Sequence, residues 1–190
     1  QKKLIQEEKT GSNIAMVYKD GNMIFHHIEN SNKPGDKNID GETIFPVWSM
    51  SKPITIVSVM TLIEQGKIKL DDPVSKYIPS FESLTCKSPN ETYKCNNVMT
   101  VYHLMTHRSG LKYYDEFENI RGLTSSVKYE DLETFADDVS KVVLEFEPGT
   151  KYLYGINQAV LGRIVEVASG MDFYRYLKKS LFDPLGMNQT

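Results

Sequence analysis

The stretch Val47-Trp48-Ser49-Met50-Ser51-Lys52-Pro53 leads into an apolar run, Ile54 to Ile63, that stops at Gly66. It reads as extended backbone turning into a helix. Pro53 sits in the first turn, where its missing N–H costs no hydrogen bond, and Gly66 lies just past the last turn as a C-cap. Residues three apart share a helix face, so Lys52 can reach the Ser49 hydroxyl. A helix start also offers unpaired N–H groups and a positive dipole end, both of which favour developing negative charge. A serine with a lysine beside it as base is one way to make an alcohol nucleophilic at neutral pH. The run Ile54, Ile56, Val57, Val59, Met60, Leu62, Ile63 is apolar on nearly every side, which predicts a helix buried in a larger domain. Packing of that helix would then hold the nucleophile in place.

Working outward, Ile14–Tyr18 and Met23–Ile28 flank Lys19-Asp20-Gly21-Asn22 and read as a β-hairpin with an Asp-Gly turn. Asn30 to Gly41 is a polar loop. Downstream, Asp71-Asp72-Pro73 signals a short helix ending near Pro79, and Thr100 can cap a helix carrying Val101, Leu104 and Met105. Leu132, Phe135, Val139 and Val142 mark an amphipathic helix. Pro148-Gly149 is a turn. Val160, Leu161, Ile164, Val165 and Ala168 mark another helix, stopped by Gly170, and Asp172 can cap a last one. The inventory is one hairpin followed by helices and loops, an α+β pattern.

The 190 residues can bury a sizeable core, with 40% hydrophobic and 25% charged side chains. A net charge of −3 gives no electrostatic case for nucleic acid or an anionic membrane as partner. The 54–63 run is too short and too interrupted by Thr and Ser to span a bilayer. The charged start, Gln1 to Glu8, lacks the apolar core of a signal peptide. Cys86 and Cys95 bracket a polar loop that contains the sequon Asn90-Glu91-Thr92, and Asn188-Gln189-Thr190 is a second sequon. A disulfide and two free thiols both remain open; a bonded, glycosylated loop would point to an oxidising secretory compartment. His103 and His107 fall four apart on a helix but lack the glutamate of a zinc motif. They read as a helix-end histidine and a surface one. No metal or cofactor is called for.

Several phrases, in order, resemble the serine β-lactamase-related family, and within it the class C β-lactamase, family VIII esterase and transesterase branch. They are Trp48-Ser49-Met50-Ser51-Lys52-Pro53, Gly66-Lys67-Ile68-Lys69-Leu70-Asp71-Asp72-Pro73-Val74, Leu104-Met105-Thr106-His107-Arg108-Ser109-Gly110-Leu111, Pro148-Gly149-Thr150-Lys151-Tyr152-Leu153-Tyr154 and Asp183-Pro184-Leu185-Gly186-Met187. The resemblance implies a β-lactamase/transpeptidase-like fold in which Ser49 is the acylated nucleophile of an S-x-x-K motif and Lys52 its base partner. Tyr154 fits the tyrosine of the family's Tyr-x-Asn motif. Ile156 stands where that motif has its asparagine, and Asn157 comes one later, which moves the expectation from β-lactam toward ester substrates. Lys52 is expected to be partly neutral, its pKa depressed by burial and by a nearby positive field.

The family's third motif, a Lys-Thr-Gly, His-x-Gly or Trp-x-Gly strand, lies downstream of Pro184-Leu185-Gly186-Met187. Residues 1–190 are therefore expected to form the N-terminal part of a single catalytic domain whose C-terminal strands come from a second chain or segment. The substrate is expected to be a small-molecule ester or amide. The alternatives are a β-lactamase or D-Ala-D-Ala peptidase, and a catalytically silent structural or binding relative.

Overall fold

A computed structural model describes residues 1–113 and 129–190 of the chain. They form two compact units, Gln1–Val47 and Trp48–Thr190. In the first, a single-turn helix α1 (Lys2–Gln6) buries Ile5 and precedes strands β1 (Asn13–Lys19) and β2 (Asn22–Glu29). The strands pair antiparallel from Asn13 opposite Glu29 to Lys19 opposite Asn22, with an irregularity at Val17/Tyr18. Asp20 (φ 50°) and Gly21 (φ 76°) both lie in the left-handed region. This is the two-residue turn whose twist matches that of the strands. Among the described residues, β1 and β2 pair only with each other. Asp36 closes the loop behind them by accepting hydrogen bonds from Ser12 N at 2.7 Å and Ser12 Oγ at 2.9 Å, and one from Ser31 Oγ.

The second unit is built on two helices, α2 (Ser51–Glu64) and, far along the chain, α5 (Asn157–Ser169). Around them lie α3 (Val101–Met105), α4 (Leu132–Val139) and α6 (Phe173–Leu177), which runs on into a wide turn at Lys178–Phe182. Helix α5 packs against α2, α3, α4 and α6. Val59, Leu62, Ile68, Val74, Leu104, Leu111, Leu144, Leu161 and Ile164 form the continuous core. The capping signals act as their chemistry dictates. Thr100 accepts from the N–H of His103, whose ring closes the box on the Thr100 N–H, while Asp131 and Asp172 accept from Thr134 N and Arg175 N. Gly170 ends α5 in the left-handed conformation.

Three sequence expectations need correction. The segment after the hairpin is not only helix and loop. Strands β3 (Thr85–Lys87), β4 (Thr92–Lys94) and β5 (Val143–Leu144) form a second sheet in the order β4-β3-β5. Strands this short carry too few residues for period-2 alternation to register. Cys86 and Cys95 are bonded, with Cα atoms 5.1 Å apart, so the cysteine loop is a stapled hairpin with the exposed Asn90 near its tip.

The Asp72 region forms two 3₁₀ turns, Val74–Lys76 and Pro79–Glu82, in place of one short helix. Pro79 opens the second turn, where a proline is tolerated, and does not simply end the first. Nor is α2 buried all round: it buries Thr55, Ser58, Val59 and Leu62 while Val57 and Met60 stay nearly half exposed. Hydroxyls take part of its inner face, Ser58 Oγ bonding the Thr55 carbonyl at 2.6 Å and Thr61 Oγ1 meeting Tyr176 OH at 2.8 Å. The helix therefore carries more apolar residues than its one packed side can cover.

Candidate active site

Ser49 is the middle residue of a 3₁₀ turn, Trp48–Met50, that leads directly into α2. Trp48 holds φ 46°, unusual for a residue with a bulky side chain, and its carbonyl accepts from Ser51 Oγ at 2.7 Å. Strained backbone of this kind persists where the surroundings over-determine it, which is common at sites that do chemistry. One helical turn on, Lys52 Nζ donates to Ser49 Oγ at 3.1 Å. It donates again to Tyr113 OH at 3.1 Å, and it lies 4.8 Å from the centre of the Tyr154 ring.

Tyr154 arrives from a different part of the chain because two segments run side by side. Glu145 N bonds Gly110 O at 3.0 Å, Gly149 N bonds Arg108 O at 2.7 Å and Leu153 N bonds His107 O at 2.9 Å. This lacing brings Tyr154 beside Tyr113, their rings 5.5 Å apart. Gly155 is needed at the crossing, where a Cβ would fall 2.1 Å from the Leu111 carbonyl oxygen. The structure therefore brings Ser49, Lys52 and Tyr154 together, and it adds Tyr113, which sequence reasoning passed over. The available signal was its position two residues beyond Ser109-Gly110-Leu111.

The electrostatics differ from the sequence expectation. The Tyr154 phenol is lowered to about 8 by hydrogen bonding to Lys52, then to Ser49 and Tyr113. Partial burial pulls Lys52 down, but hydrogen bonds with Tyr154 and Tyr113 outweigh it and raise its pKa above the ordinary lysine value. The expected depression does not occur, because Lys52 is only partly desolvated and donates to two phenol oxygens. In this cluster the readily ionised group is the tyrosine, and the lysine is the fixed positive charge.

Beside Lys52 and Tyr113 opens a cavity of about 280 Å³ whose walls include Phe135, Ile156 and Ala159. Asn157 faces away from it. That residue is fully buried, bonding Ser109 Oγ and His107 Nδ1. His107, one of the pair read as a helix-end and a surface histidine, is buried against the Tyr154 ring, 4.7 Å between centres. Helix α3 ends before it, so its left-handed backbone (φ 54°) turns the ring inward. Among the described residues, Cys86, Cys95 and Glu147 have the proximity of metal ligands. Both sulfurs are spent in the disulfide, however, and Glu147 accepts from the N–H groups of Asn96 and Asn97 at 2.9 and 3.0 Å.

The architecture is that of the β-lactamase/transpeptidase-like α+β fold. It superposes on EstCE1, a hydrolase with promiscuous acyltransferase activity, with a TM-score of 0.83 at 23% identity over 97% of this chain and 49% of that one. The chain belongs to the beta-lactamase family, whose model, described as Beta-lactamase, matches residues 2–190. Relatives include Esterase EstB of Burkholderia gladioli, 26% identical over 96% of this chain and 47% of its own length. Another is a protein of Escherichia coli strain K12, provisionally named a D-alanyl-D-alanine carboxypeptidase, 29% identical over 78% of this chain and 33% of its own. The chain thus spans from a third to a half of the proteins it matches. Among the described residues, no helix is long and apolar enough to cross a membrane.

Proposed function

We propose that residues 1–190 carry the nucleophile side of a serine hydrolase or acyltransferase that acts on small-molecule esters through a Ser49 acyl-enzyme. One observation carries this reading. Lys52 Nζ sits 3.1 Å from both Ser49 Oγ and Tyr113 OH, beside a Tyr154 phenol lowered to about 8. The Tyr154 phenolate takes the Ser49 proton as Oγ bonds to the ester carbonyl carbon. Lys52, still protonated, stabilises the phenolate and the charge that develops. The tetrahedral intermediate collapses, and the departing alkoxide takes the proton from Tyr154. Water or a second alcohol then gives its proton to Tyr154, attacks the acyl carbon and releases Ser49, which recovers the proton. The Ser49 N–H, ahead of α2, supplies one oxyanion donor. The rest of the cleft belongs, in this proposal, to the length of polypeptide that the relatives carry and this chain does not span.

Ester over amide is favoured because Ile156 lines the cavity beside Lys52 while Asn157 is turned into the core. No carboxamide from Asn157 is offered to a substrate amide. The assembled serine, lysine and tyrosine support an active protein over a silent relative. The test is labelling with a fluorophosphonate and peptide mapping, alongside turnover of an aryl ester and a chromogenic cephalosporin by the full protein. We expect the label on Ser49, none on Ser49→Ala, and ester turnover above cephalosporin turnover. Label elsewhere overturns the nucleophile, and faster cephalosporin hydrolysis overturns the ester preference.

A further inference from the structure

Behind the tyrosines lies a buried polar cluster that the reaction as written leaves unused. His107 Nδ1 receives the backbone N–H of Gly155 at 3.2 Å and Asn157 Nδ2 at 2.8 Å. A backbone N–H can only donate, so Nδ1 is the acceptor and a neutral ring carries its proton on Nε2. The Gln158 amide faces Nε2 with its nitrogen 3.2 Å away, while its Oε1 is buried with no hydrogen-bond partner. Turning that amide end over lets Oε1 accept the His107 Nε2 proton and puts the amide nitrogen in the other, buried position. Asn157 Oδ1 then accepts from Ser109 Oγ, which itself accepts the Leu111 N–H at 3.1 Å. The cluster therefore ties residues 109–111, just ahead of Tyr113, to residues 155–158, just after Tyr154. These are the segments that cross at Gly155 without room for a Cβ.

We propose that His107 is a positioning residue for Tyr154, anchoring the Gly155 N–H through Nδ1 and backing the phenol ring with its own. The inference rests on the role proposed above for Tyr154. Tyr154 is itself 40% exposed, so its hydroxyl is not held by burial. Besides its hydrogen bonds with Lys52 and Ser49, it is fixed by the backbone on either side, Leu153 N on the His107 carbonyl and Gly155 N on the His107 ring. One residue thus grips the tyrosine from both flanks, and the left-handed turn at φ 54° makes both grips possible at once. A shift of about 1 Å at a reacting group costs about 10²-fold in rate.

Two variants separate positioning from mere packing. His107→Gly and His107→Asn both lose the ring and both relieve the left-handed backbone, since glycine and asparagine accept it. Only asparagine returns an acceptor near Nδ1. On the full protein we expect His107→Gly to lower kcat about 10²-fold with KM within about twofold, and His107→Asn to recover most of that loss. The phenolate absorbance of wild type should show a one-tyrosine step near pH 8, moved toward the ordinary tyrosine range in His107→Gly and restored in His107→Asn. Should His107→Gly fail to fold, His107→Gln serves instead, because its amide reaches the Nε2 position and not Nδ1, and it should behave as His107→Gly does. Equal kcat and equal titration in the variants with and without the acceptor would overturn the proposal. If wild type neither labels on Ser49 nor turns over esters, the hydrolase reading falls, whereas the tyrosine titration still decides whether His107 sets Tyr154.

Discussion

At the scale of single residues, the site divides labour by charge. A lysine whose pKa is raised and a tyrosine whose pKa is lowered are two sides of one contact: each favours the ionised form of the other. The sign of the pH dependence follows. Catalysis that needs the Tyr154 phenolate should rise as pH climbs through about 8. It should fall only above the ordinary lysine range, where Lys52 finally loses its proton. Tyr154→Phe removes the proposed proton carrier and should cost about 10²–10⁴ in kcat. Tyr113→Phe keeps the carrier but frees one ligand of Lys52, so it should shift the ascending limb more than it lowers the plateau. A pH profile of kcat/KM for the three proteins checks this. An ascending limb that survives unchanged in Tyr154→Phe would assign the base elsewhere.

At the scale of elements, the turns on either side of α2 carry much of the order, and one of them is held by charge. Asp72 accepts from Lys69 N at 2.8 Å, Lys76 Nζ at 2.8 Å and Tyr77 OH at 2.5 Å. Burial pushes its carboxyl up, but the bonds from Lys76, Tyr77 and the Lys69 N–H prevail and bring it from 3.8 to about 2. A carboxyl depressed on folding stabilises fully above its unfolded value, and loses that contribution as pH falls through the folded one. Asp72→Asn should therefore destabilise by about 1–3 kcal/mol at pH 7. The gap to wild type should close between pH 4 and pH 2. Thermal melts across that range check it, and a gap independent of pH would reduce Asp72 to a packing residue.

The same turns show what a sequence can disclose. The Asp-Gly hairpin, the capping residues Thr100 and Asp172, and Gly170 were readable because each acts on its immediate neighbours in the chain. Ser49 with Lys52 was readable for the same reason. Tyr113, His107 and strand β5 were not. Tyr113 and His107 owe their places to the pairing of residues 107–110 with 145–153, and β5 exists by pairing Val143 and Leu144 with Thr85 and Cys86, contacts across more than thirty positions that no local pattern encodes. The raised pKa of Lys52 was hidden in the same way, since both its phenol partners are distant in sequence.

At the scale of the whole molecule, stability is unevenly distributed, and that can be measured. Unit 48–190 holds the large cluster of buried side chains, centred on α2 and α5, with a disulfide across its small sheet. In unit 1–47, Met16, Val17, Tyr18, Met23, Ile24 and Phe25 are each about half exposed or more. Among the described residues of this unit, only Ile5 is a buried hydrophobic. A two-stranded hairpin without a third strand or a covering helix is marginal in water. Local opening free energies range from near zero in such elements up to the global value in a packed core. Amide exchange followed by mass spectrometry on residues 1–190 should therefore separate the two units. Peptides from 13–29 should exchange early, and those from α5 should be among the last to do so. If a further segment of polypeptide completes the sheet, as proposed, adding it should slow exchange in 13–29 while leaving α5 little changed. Slow exchange in 13–29 of the chain alone, matching α5, would show that the hairpin needs no such partner.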